Sequence, residues 1–416
     1  MQITTFGALL GLAVAIFLII KKVQPAYSLI LGALIGGIVG GAGLTGTVST
    51  MITGAEGMMS SILRILTSGI LAGILIQTGA AEKIAEVIVD KLGEKRALAA
   101  IAVATMVLCA VGVFIDISVI TVAPIALAIG GKAGYNKMSV LLAMVGGGKA
   151  GNVISPNPNT IAAAENFNVD LSSLMAKNII PAIGALIVTI IIANLLAKKK
   201  AEKIHLENHN ENQGKELPSL FAAIIGPIVV IVLLSLRPIC GIVIDPLIAL
   251  PAGGIVCALA SGKIRNVREY SAYGLTKVMG VAVLLIGTGT IAGIIKASNI
   301  QADTIYLLEA INMPTFVLAP IAGILMAGAT ASTTAGATIA SSTFSQAIVD
   351  AGIPALSGAA MVHAGATVID SLPHGSFFHA TAGAAHVNIT ERLKLIPYEA
   401  LVGLTTTVIS VIMYLI

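Results

Sequence analysis

The sequence predicts an all-α polytopic membrane protein with two inverted-topology repeats, each of five transmembrane helices, one re-entrant hairpin and one broken helix. Three observations predict this class. The chain of 416 residues is 56% hydrophobic and only 11% charged, with a mean hydropathy of +0.98, whereas soluble domains carry about 25% charged residues. Apolar runs close to the length of a membrane span recur along the whole chain. Short motifs also repeat between its two halves at a nearly constant offset.

The candidate membrane segments follow one another through the chain. They fall near residues 3–20, 26–44, 62–78, 97–131, 138–165, 178–197, 218–236, 240–260, 274–296, 314–350, 354–388 and 397–415. The stretch 198–217 is charged, mixed in sign and lacks apolar periodicity, which predicts a flexible cytoplasmic linker. Because Lys21 and Lys22 follow the first apolar run instead of preceding it, that run is interpreted as a permanent helix and not as a signal peptide.

Positive residues predict the orientation of these segments, because Lys and Arg accumulate on the cytoplasmic side. Basic clusters occur at 21–22, 91–96, 132–137, 198–203, 263–268 and 392–394. If all of them are cytoplasmic, 97–131 must enter and leave on one side as a re-entrant hairpin with its tip near 113–118. The same reasoning makes 314–350 a second hairpin that enters from outside, with its tip near 328–336. Both termini are then expected outside.

The two halves repeat the same landmarks in the same order. Residues 153–158 resemble residues 368–373 at an offset of 215, and Pro181 corresponds to Pro397 at an offset of 216. The first copy starts outside and the second starts inside, so the copies are inverted, a signature of secondary transporters with a site near the bilayer midplane. The predicted domains are repeat 1 at 1–197 (hairpin 97–131, broken helix 138–165), the linker at 198–217, and repeat 2 at 218–416 (hairpin 314–350, broken helix 354–388).

Two segments combine helix breakers with polar groups. In the first break, Pro156 and Pro158 lack backbone donors and free carbonyl groups behind them. The helix that restarts near Thr160 offers unpaired N–H groups that suit a carboxylate. Pro373 and Gly375 permit the second break. Non-helical backbone at membrane depth is tolerated only where protein buries it or where it lines a wet cavity, so both breaks and both hairpin tips are expected to converge on one small anion.

The expected substrate-binding residues belong to these tips and breaks. They are Asp116, Ser118, Lys149, Asn152, Ser155, Asn157, Asn159, Thr160, Ser332, Thr333, Thr334, Ser371, His374 and Ser376. Ionisable residues in apolar surroundings are costly and usually functional. Asp116, Asp370 and His374 are therefore the candidates that carry a coupling proton.

Each ionisable candidate also has a structural alternative. Asp116 either meets the solute or a proton, or it caps the returning helix of its hairpin. Lys149 attracts a carboxylate, pairs with a buried Asp, or extends to the membrane interface. His374 either exchanges a proton or donates a fixed hydrogen bond to the broken backbone. The remaining histidines form no persuasive zinc pattern, so no metal is expected.

Several of these residues resemble the gluconate:proton symporter (GntP) family of the ion transporter superfamily. The resemblance is carried by the run from Phe114 to Asp116, by the Pro-Asn-Pro break at 156–158, and by the Asp-Ser-Leu-Pro-His run at 370–374, and it covers nearly the whole chain. It implies a permease for small hydroxy-carboxylates that is typically driven by protons. Relatives in the wider group are homodimers in which a transport domain moves like an elevator against a scaffold.

Two departures from the family pattern concern the solute. Gluconate permeases typically have Pro-Pro-His-Pro-Gly-Pro at the first break, whereas Asn157 stands here at the place of that His, and Ser155 and Asn159 also differ. They usually carry an Arg shortly before the second hairpin tip, but residues 325–330 contain no base. Lys149 is the predicted substitute, since the two breaks should lie close together.

The sequence thus predicts a secondary active transporter of the bacterial cytoplasmic (inner) membrane, and not an enzyme. It is expected to import a small hydroxy-carboxylate such as gluconate by proton symport, without a cofactor. The expected partners are the organic anion, the bilayer and a second copy of the chain, and a net charge of +4 suggests no nucleic acid. Sodium is a rival coupling ion, because hydroxyl, amide and carbonyl oxygens make good sodium cages, and a channel is a further alternative.

Overall fold

The computed structural model describes residues 3–93, 96–198, 204, 217–299, 303, 314–373 and 375–416, with backbone alone at 237–240. The described chain is helical, and its extended structure is confined to an isolated bridge between Ile3 and Ser298. The helical content agrees with the predicted all-α class. The candidate His374 and most of the predicted linker 198–217 lie outside the described residues.

The helices follow the chain in two series. The first series is α1 (Thr5–Ile20), α2 (Pro25–Val39), α3 (Gly43–Glu56), α4 (Met59–Gln77), α5 (Ala80–Leu92), α6 (Ala97–Ala110), α7 (Ile115–Lys132), α8 (Lys137–Asn152), α9 (Pro158–Asn166), α10 (Leu171–Lys177) and α11 (Ile179–Ala197). The second series is α12 (Leu220–Cys240), α13 (Pro246–Ala260), α14 (Val267–Lys296), α15 (Leu318–Thr330), α16 (Thr333–Asp350), α17 (Ala355–Gly365), α18 (Ser376–Ala384) and α19 (Ile389–Leu415). Within the described chain, helices long and apolar enough to cross a membrane are α4, α7, α11, α14 with its preceding turn, and α19.

Two pairs of helices are interrupted where the sequence carries its breaks. Helix α8 has 16 residues and α9 has 9, so at about 1.5 Å per residue each is shorter than the hydrocarbon core of about 30 Å. Helices α17 and α18 have 11 and 9 residues and are likewise too short to cross alone. Pro158 occupies the first turn of α9, where its missing N–H leaves no hydrogen bond unmade.

Two other helix pairs turn back on themselves. Helices α6 and α7 are joined by a short turn in which Gly112 has φ +108°, a left-handed conformation that glycine adopts without strain. Helices α15 and α16 are joined at Ala331, with φ +48°. The hydroxyl of Thr315 donates to the carbonyl of Ala351 at 3.4 Å, so the two ends of the α15–α16 pair lie side by side.

Helix α14 packs closely against α2, α3 and α4 along glycine contacts. A Cβ on Gly73 would lie 2.5 Å from the Cα of Gly274, and a Cβ on Gly274 would overlap the Gly69 carbonyl. In a bilayer, helices associate through such close backbone approach because the lipid leaves little hydrophobic driving force between them. These glycines therefore fix α14 against α2, α3 and α4.

We expect Gly274→Ala to lower the free energy of unfolding by about 1–3 kcal/mol, because the added methyl group meets backbone that cannot move aside. Gly280→Ala, on the same helix, is the matched control, since a Cβ there meets nothing within 4 Å. Alanine in a helix is favoured over glycine by up to about 1 kcal/mol, so the control should be as stable as the parent or more so. Thermal unfolding in detergent measures both, and equal effects would refute the packing argument.

Candidate functional site

The interrupted elements meet around a cavity of about 430 Å³. Nine of the sequence candidates line it, counting the proton candidates: Asp116, Asn152, Asn157, Asn159, Ser332, Thr333, Thr334, Asp370 and Ser376. The facing wall is formed by α14 and the start of α2, with Lys277, Val278, Gly280, Val281, Leu284, Gln24, Pro25 and Ala26. Both turns and both breaks therefore contribute to one concave site, of the kind that holds a small ligand.

A cluster of asparagines replaces the lost helical hydrogen bonds at the first break. The Asn157 side chain donates to the Asn152 carbonyl at 3.0 Å, and its own oxygen accepts from the backbone N–H of Asn159 and Thr160 at 3.0 and 3.2 Å. Asn178 donates to the carbonyl of Val153 at 3.1 Å. Unsatisfied backbone groups cost several kcal/mol in a bilayer, so these amides make the break tolerable.

Hydrogen bonds also connect the first break to the turn before α16. The hydroxyl of Thr334 donates to Asn159 Oδ1 at 2.5 Å, and Asn159 Nδ2 donates to Asn152 Oδ1 at 3.0 Å. The Nδ2 group of Asn152 has no hydrogen-bond partner among the described residues. The wall of the cavity thus keeps a buried amide donor whose hydrogen-bonding capacity is unused.

Asp370 in the second break is enclosed by donors. Lys149 Nζ donates to Asp370 Oδ1 at 2.5 Å, Thr333 Oγ1 to Oδ2 at 2.5 Å, and Ser371 Oγ to Oδ1 at 3.0 Å. Lys149 is 0% exposed, and its ammonium also donates to the Thr367 carbonyl at 2.7 Å. Of the alternatives for Lys149, the structure has the pair with a buried Asp, and the lysine does not line the cavity.

Five of the predicted binding residues lie behind the cavity wall. Ser118 donates to the Val113 carbonyl at 3.4 Å, and the hydroxyl of Thr160 donates to Asn157 Oδ1 at 3.2 Å. Lys149 and Ser371 donate to Asp370, and the hydroxyl of Ser155 has no partner among the described residues. These buried side chains lie outside the cavity lining. The predicted binding residues that do not line the cavity are Ser118, Lys149, Ser155, Thr160 and Ser371.

Asp116 and Lys277 bring opposite charges to the cavity. Asp116 lies in the first turn of α7 and is half-buried, and it lines the cavity together with Lys277. The N-cap residue of α7 is Phe114 and no side chain caps the start of this helix, so the capping alternative for Asp116 is not observed. Lys277 is exposed, and its Nζ lies 4.9 Å from the centroid of the Tyr273 ring, a cation–π distance.

Lys277 is absent from the residues that the sequence pointed to. It lies three residues into the predicted segment 274–296, where a lysine is easily taken for an interface residue. The helix begins at Val267 instead, so Lys277 lies in its third turn, with Gly280, Val281 and Leu284 following on the same face. A charged residue inside a long apolar helix, one turn before a glycine, was the available signal.

A bridge of charges also joins α4 to the first broken helix. Arg64 on α4 pairs with Glu165 near the end of α9 and with Asp245, which caps the start of α13. The Arg64 guanidinium donates to Asp245 Oδ2 at 2.6 Å and to Oδ1 at 3.1 Å. That hydrogen-bonded guanidinium lowers the pKa of the Asp245 carboxyl below its usual value.

Comparison with known proteins agrees with this architecture. The family model described as GntP family permease matches residues 3–251. The chain belongs to the GntP permease family. A shorter match, at residues 221–313, is to the Na⁺-H⁺ antiporter family. As a permease with long apolar helices, the protein is an integral, multi-pass membrane protein and not an enzyme.

Individual relatives extend the comparison of this GntP-family permease. An uncharacterized transporter of Haemophilus influenzae is 52% identical, over 99% of this chain and 98% of its own. The Gnt-II system L-idonate transporter of Escherichia coli is 25% identical, over 56% of this chain and 54% of its own. The crystal structure of the Alcanivorax borkumensis YdaH transporter matches 96% of this chain and 98% of its own, with TM-score 0.68 and 16% identity, a likeness of fold.

We expect Lys149→Met to destabilise the permease by about 3–5 kcal/mol, because it leaves the Asp370 carboxylate buried without its counter-ion. The double variant Lys149→Met with Asp370→Asn should recover part of that loss, since it removes both charges. Lys177→Met is the matched control: its lysine is partly exposed, and within the described chain it donates to the Met413 carbonyl at 3.4 Å and forms no ion pair. Thermal unfolding in detergent measures all three, and a single variant as stable as the control would contradict the pairing argument.

Proposed function

We propose that this permease imports a small hydroxy-carboxylate, such as gluconate or L-idonate, by proton-coupled alternating access across the bacterial inner membrane. The observation that carries the proposal is the cavity enclosed between the two turns, the two breaks and α14. Its volume of about 430 Å³ is within the range of small-molecule sites. Its walls supply hydroxyl and amide groups for the hydroxyls of a sugar acid and an ammonium for the carboxylate.

The charges of the cavity support an anion as the solute. Asp370 is neutralised by Lys149, so its charge does not repel an anion as a free carboxylate would. Lys277 is the cation among the described lining residues. A carboxylate in a low-dielectric site needs such a partner, because its desolvation is otherwise too costly.

The same proposal includes two inverted repeats. The short helices α8–α9 and α17–α18 occupy corresponding places in the two halves, and the pairs α6–α7 and α15–α16 precede them as re-entrant hairpins. Support comes from the left-handed turns at Gly112 and Ala331 and from the adjacent ends of α15 and α16. Both termini would then face outside.

An elevator movement in a homodimer completes the proposal, as the family resemblance implies. The hairpins, broken helices and closing helices α11 and α19 would move together. Hydrogen bonds of Lys149 and Asp370 join α8 to the second break, to α16 and to α19, and α6, α7 and α11 pack against α8. Helices α2, α4, α13 and α14 would form the scaffold. The cavity between the two groups would then open to one side of the membrane at a time.

Sodium coupling is the second candidate. The partial match of residues 221–313 to the Na⁺-H⁺ antiporter family favours it. Oxygen ligands are abundant at the breaks, and they suit a hard cation as well as a sugar acid. Proton coupling and sodium coupling predict different responses of uptake to imposed pH and sodium gradients.

We expect purified protein in liposomes to accumulate radiolabelled gluconate when the outside is acidic, without a sodium gradient. A proton that enters with the anion makes the pH gradient a driving force. Uptake should saturate with gluconate and collapse when a protonophore dissipates the gradient.

Empty liposomes and an imposed sodium gradient at equal pH are the controls. Accumulation under sodium alone would reject proton coupling, and unsaturable flux without coupling would favour a channel. Repeating the assay with L-idonate and with neutral glucitol tests the substrate class, since glucitol lacks the carboxylate and should not accumulate.

The Arg64–Glu165 contact offers a test of the movement. In a background without native cysteines, Arg64→Cys with Glu165→Cys joined by a bifunctional thiol reagent should abolish uptake, because the link spans the scaffold and the moving part. Cleaving a reducible linker should restore uptake to the level of the same variant before cross-linking.

Arg64→Cys with Asp245→Cys is the matched control, since both residues belong to the proposed scaffold. The same reagent should leave its uptake unchanged. Full uptake by the cross-linked Arg64–Glu165 variant would reject movement between these two groups.

A further inference from the structure

We infer that Lys277 is the cation that binds the solute carboxylate, and that Asp116 takes up the coupling proton, so that solute and Asp116 compete for one ammonium. The inference rests on the proposed function and specifies its binding chemistry. It assigns a role to Lys277, and it selects Asp116 from the proton candidates.

The net charge of the cavity depends on three charged side chains that line it. Asp370, Asp116 and Lys277 are the charged groups that line it among the described residues. The Asp370 charge is balanced by Lys149 at 2.5 Å, and both side chains are buried. The net charge of the cavity is then set by Asp116 and Lys277. An ionised Asp116 leaves the cavity neutral, whereas a protonated Asp116 leaves it with one positive charge.

Because of this charge balance, the cavity takes up one proton on Asp116 for each anion that it binds. If Asp116 stays ionised, an incoming carboxylate brings an uncompensated negative charge into a cavity enclosed by apolar helices, which is unfavourable. If Asp116 is protonated, the anion and Lys277 neutralise each other. Coupling then follows from electrostatics alone, without a direct contact between the proton and the solute.

The position of Lys277 suits this role. It stands on the wall that faces both breaks, and a Cβ at Gly280, one turn further along α14, meets nothing within 4 Å. The open space beside the lysine is therefore part of the cavity. Tyr273, one turn earlier, holds the ammonium over its ring at 4.9 Å without neutralising it. No ion pair within 4.0 Å engages Lys277 in the described chain, unlike Lys149.

Asp116 and Asp370 also differ in whether they have close side-chain partners. Asp116 lines the cavity with Lys277, and no side chain of the described residues is hydrogen-bonded to its carboxylate. Asp370 accepts three side-chain hydrogen bonds, from Lys149, Thr333 and Ser371. A proton added to Asp370 would disrupt the contacts that join α8, α16 and the second break, whereas Asp116 has no such side-chain contacts to lose.

The elements packed against α7 are α5, α6, α8 and α18, and α14 faces it across the cavity. The charge of Asp116 acts on the thiol of Cys109 on α6. Among the described residues, the other acidic and basic side chains of these elements and of the second break have partners, lie on the charged face of α5, or lie at helix ends. Lys149 pairs with Asp370, Lys83 with Glu86, and His379 with the Pro373 carbonyl. The residues on the face of α5 and at helix ends are Glu82, Asp90, Lys91, Lys132, Lys137, Arg268, Glu269 and Lys296. Lys277 is thus the cation that Asp116 faces.

Calorimetric titration of the purified permease with gluconate, from about pH 5.5 to about pH 8.5, tests the inference. The wild type should bind more weakly as the pH rises, by up to about tenfold per pH unit, because ionised Asp116 competes for Lys277. Repeating the titration in buffers of different ionisation enthalpy should give uptake of close to one proton per gluconate. Asp116→Asn should bind without pH dependence and with proton uptake near zero.

The lysine variants complete the experiment. Lys277→Gln should weaken gluconate binding by about 10- to 100-fold at low pH, as expected for loss of a charged hydrogen bond, and Lys277→Arg should largely restore it. Lys296→Gln removes an exposed lysine from the end of the same helix and is the matched control, with unchanged affinity and pH dependence. Thermal unfolding of each variant confirms its fold.

Different results overturn different claims. Unchanged gluconate affinity in Lys277→Gln, or proton uptake that persists in Asp116→Asn, overturns this inference and leaves an organic-acid permease. Proton uptake near zero in the wild type likewise overturns it, whatever the variants do. Absence of binding by gluconate and L-idonate at every pH overturns the proposed function, and the inference with it.

Discussion

The ion pair between Lys149 and Asp370 is the interaction on which the rest of the site depends. It joins the first broken helix to the second break, two segments separated by 221 residues in the chain. Each charge would be prohibitively costly in a bilayer without the other. The lysine also donates to carbonyl groups at Thr367 and Glu399, so one ammonium satisfies both a carboxylate and unwound backbone. A cavity with well-positioned walls can exist only once these groups are satisfied.

The same constraint explains why the polar interior forms a connected network. Arg392 pairs with Glu399 on α19, and its guanidinium lies 4.9 Å from the centroid of the Phe378 ring, so the second buried pair stands directly behind the first. On the other side, Thr333 and Thr334 link Asp370 to the asparagines of the first break. Every buried charge in this chain of contacts has an opposite partner, and the resulting rigidity would allow the interrupted helices to move as one body.

In the proposed transport mechanism, function depends on the few groups that this network leaves without a close partner. Asp116, Lys277 and the Nδ2 group of Asn152 have unused charge or hydrogen-bonding capacity at the cavity wall. A permease needs such groups, since a fully satisfied wall offers a solute nothing better than water. It also needs them to be few, because a charge without a partner in a bilayer is costly until a solute or a proton neutralises it. Lys149, which is enclosed, belongs to the supporting network, whereas Lys277, which is exposed, is one of the groups left for a solute.

The sequence by itself determined the membrane class, the helical breaks at Pro156, Pro158 and Gly375, and the family, because composition, proline and glycine act locally on the backbone. It could not determine which polar groups satisfy one another. Lys149 and Lys277 both stand beside apolar segments in the sequence. Only the tertiary structure decided that Lys149 is buried against Asp370 while Lys277 faces the cavity. Ser155 and Thr160 are as polar as Asn157 and Asn159, yet they lie behind the wall. Such choices depend on distances between segments far apart in the chain, which no local pattern encodes.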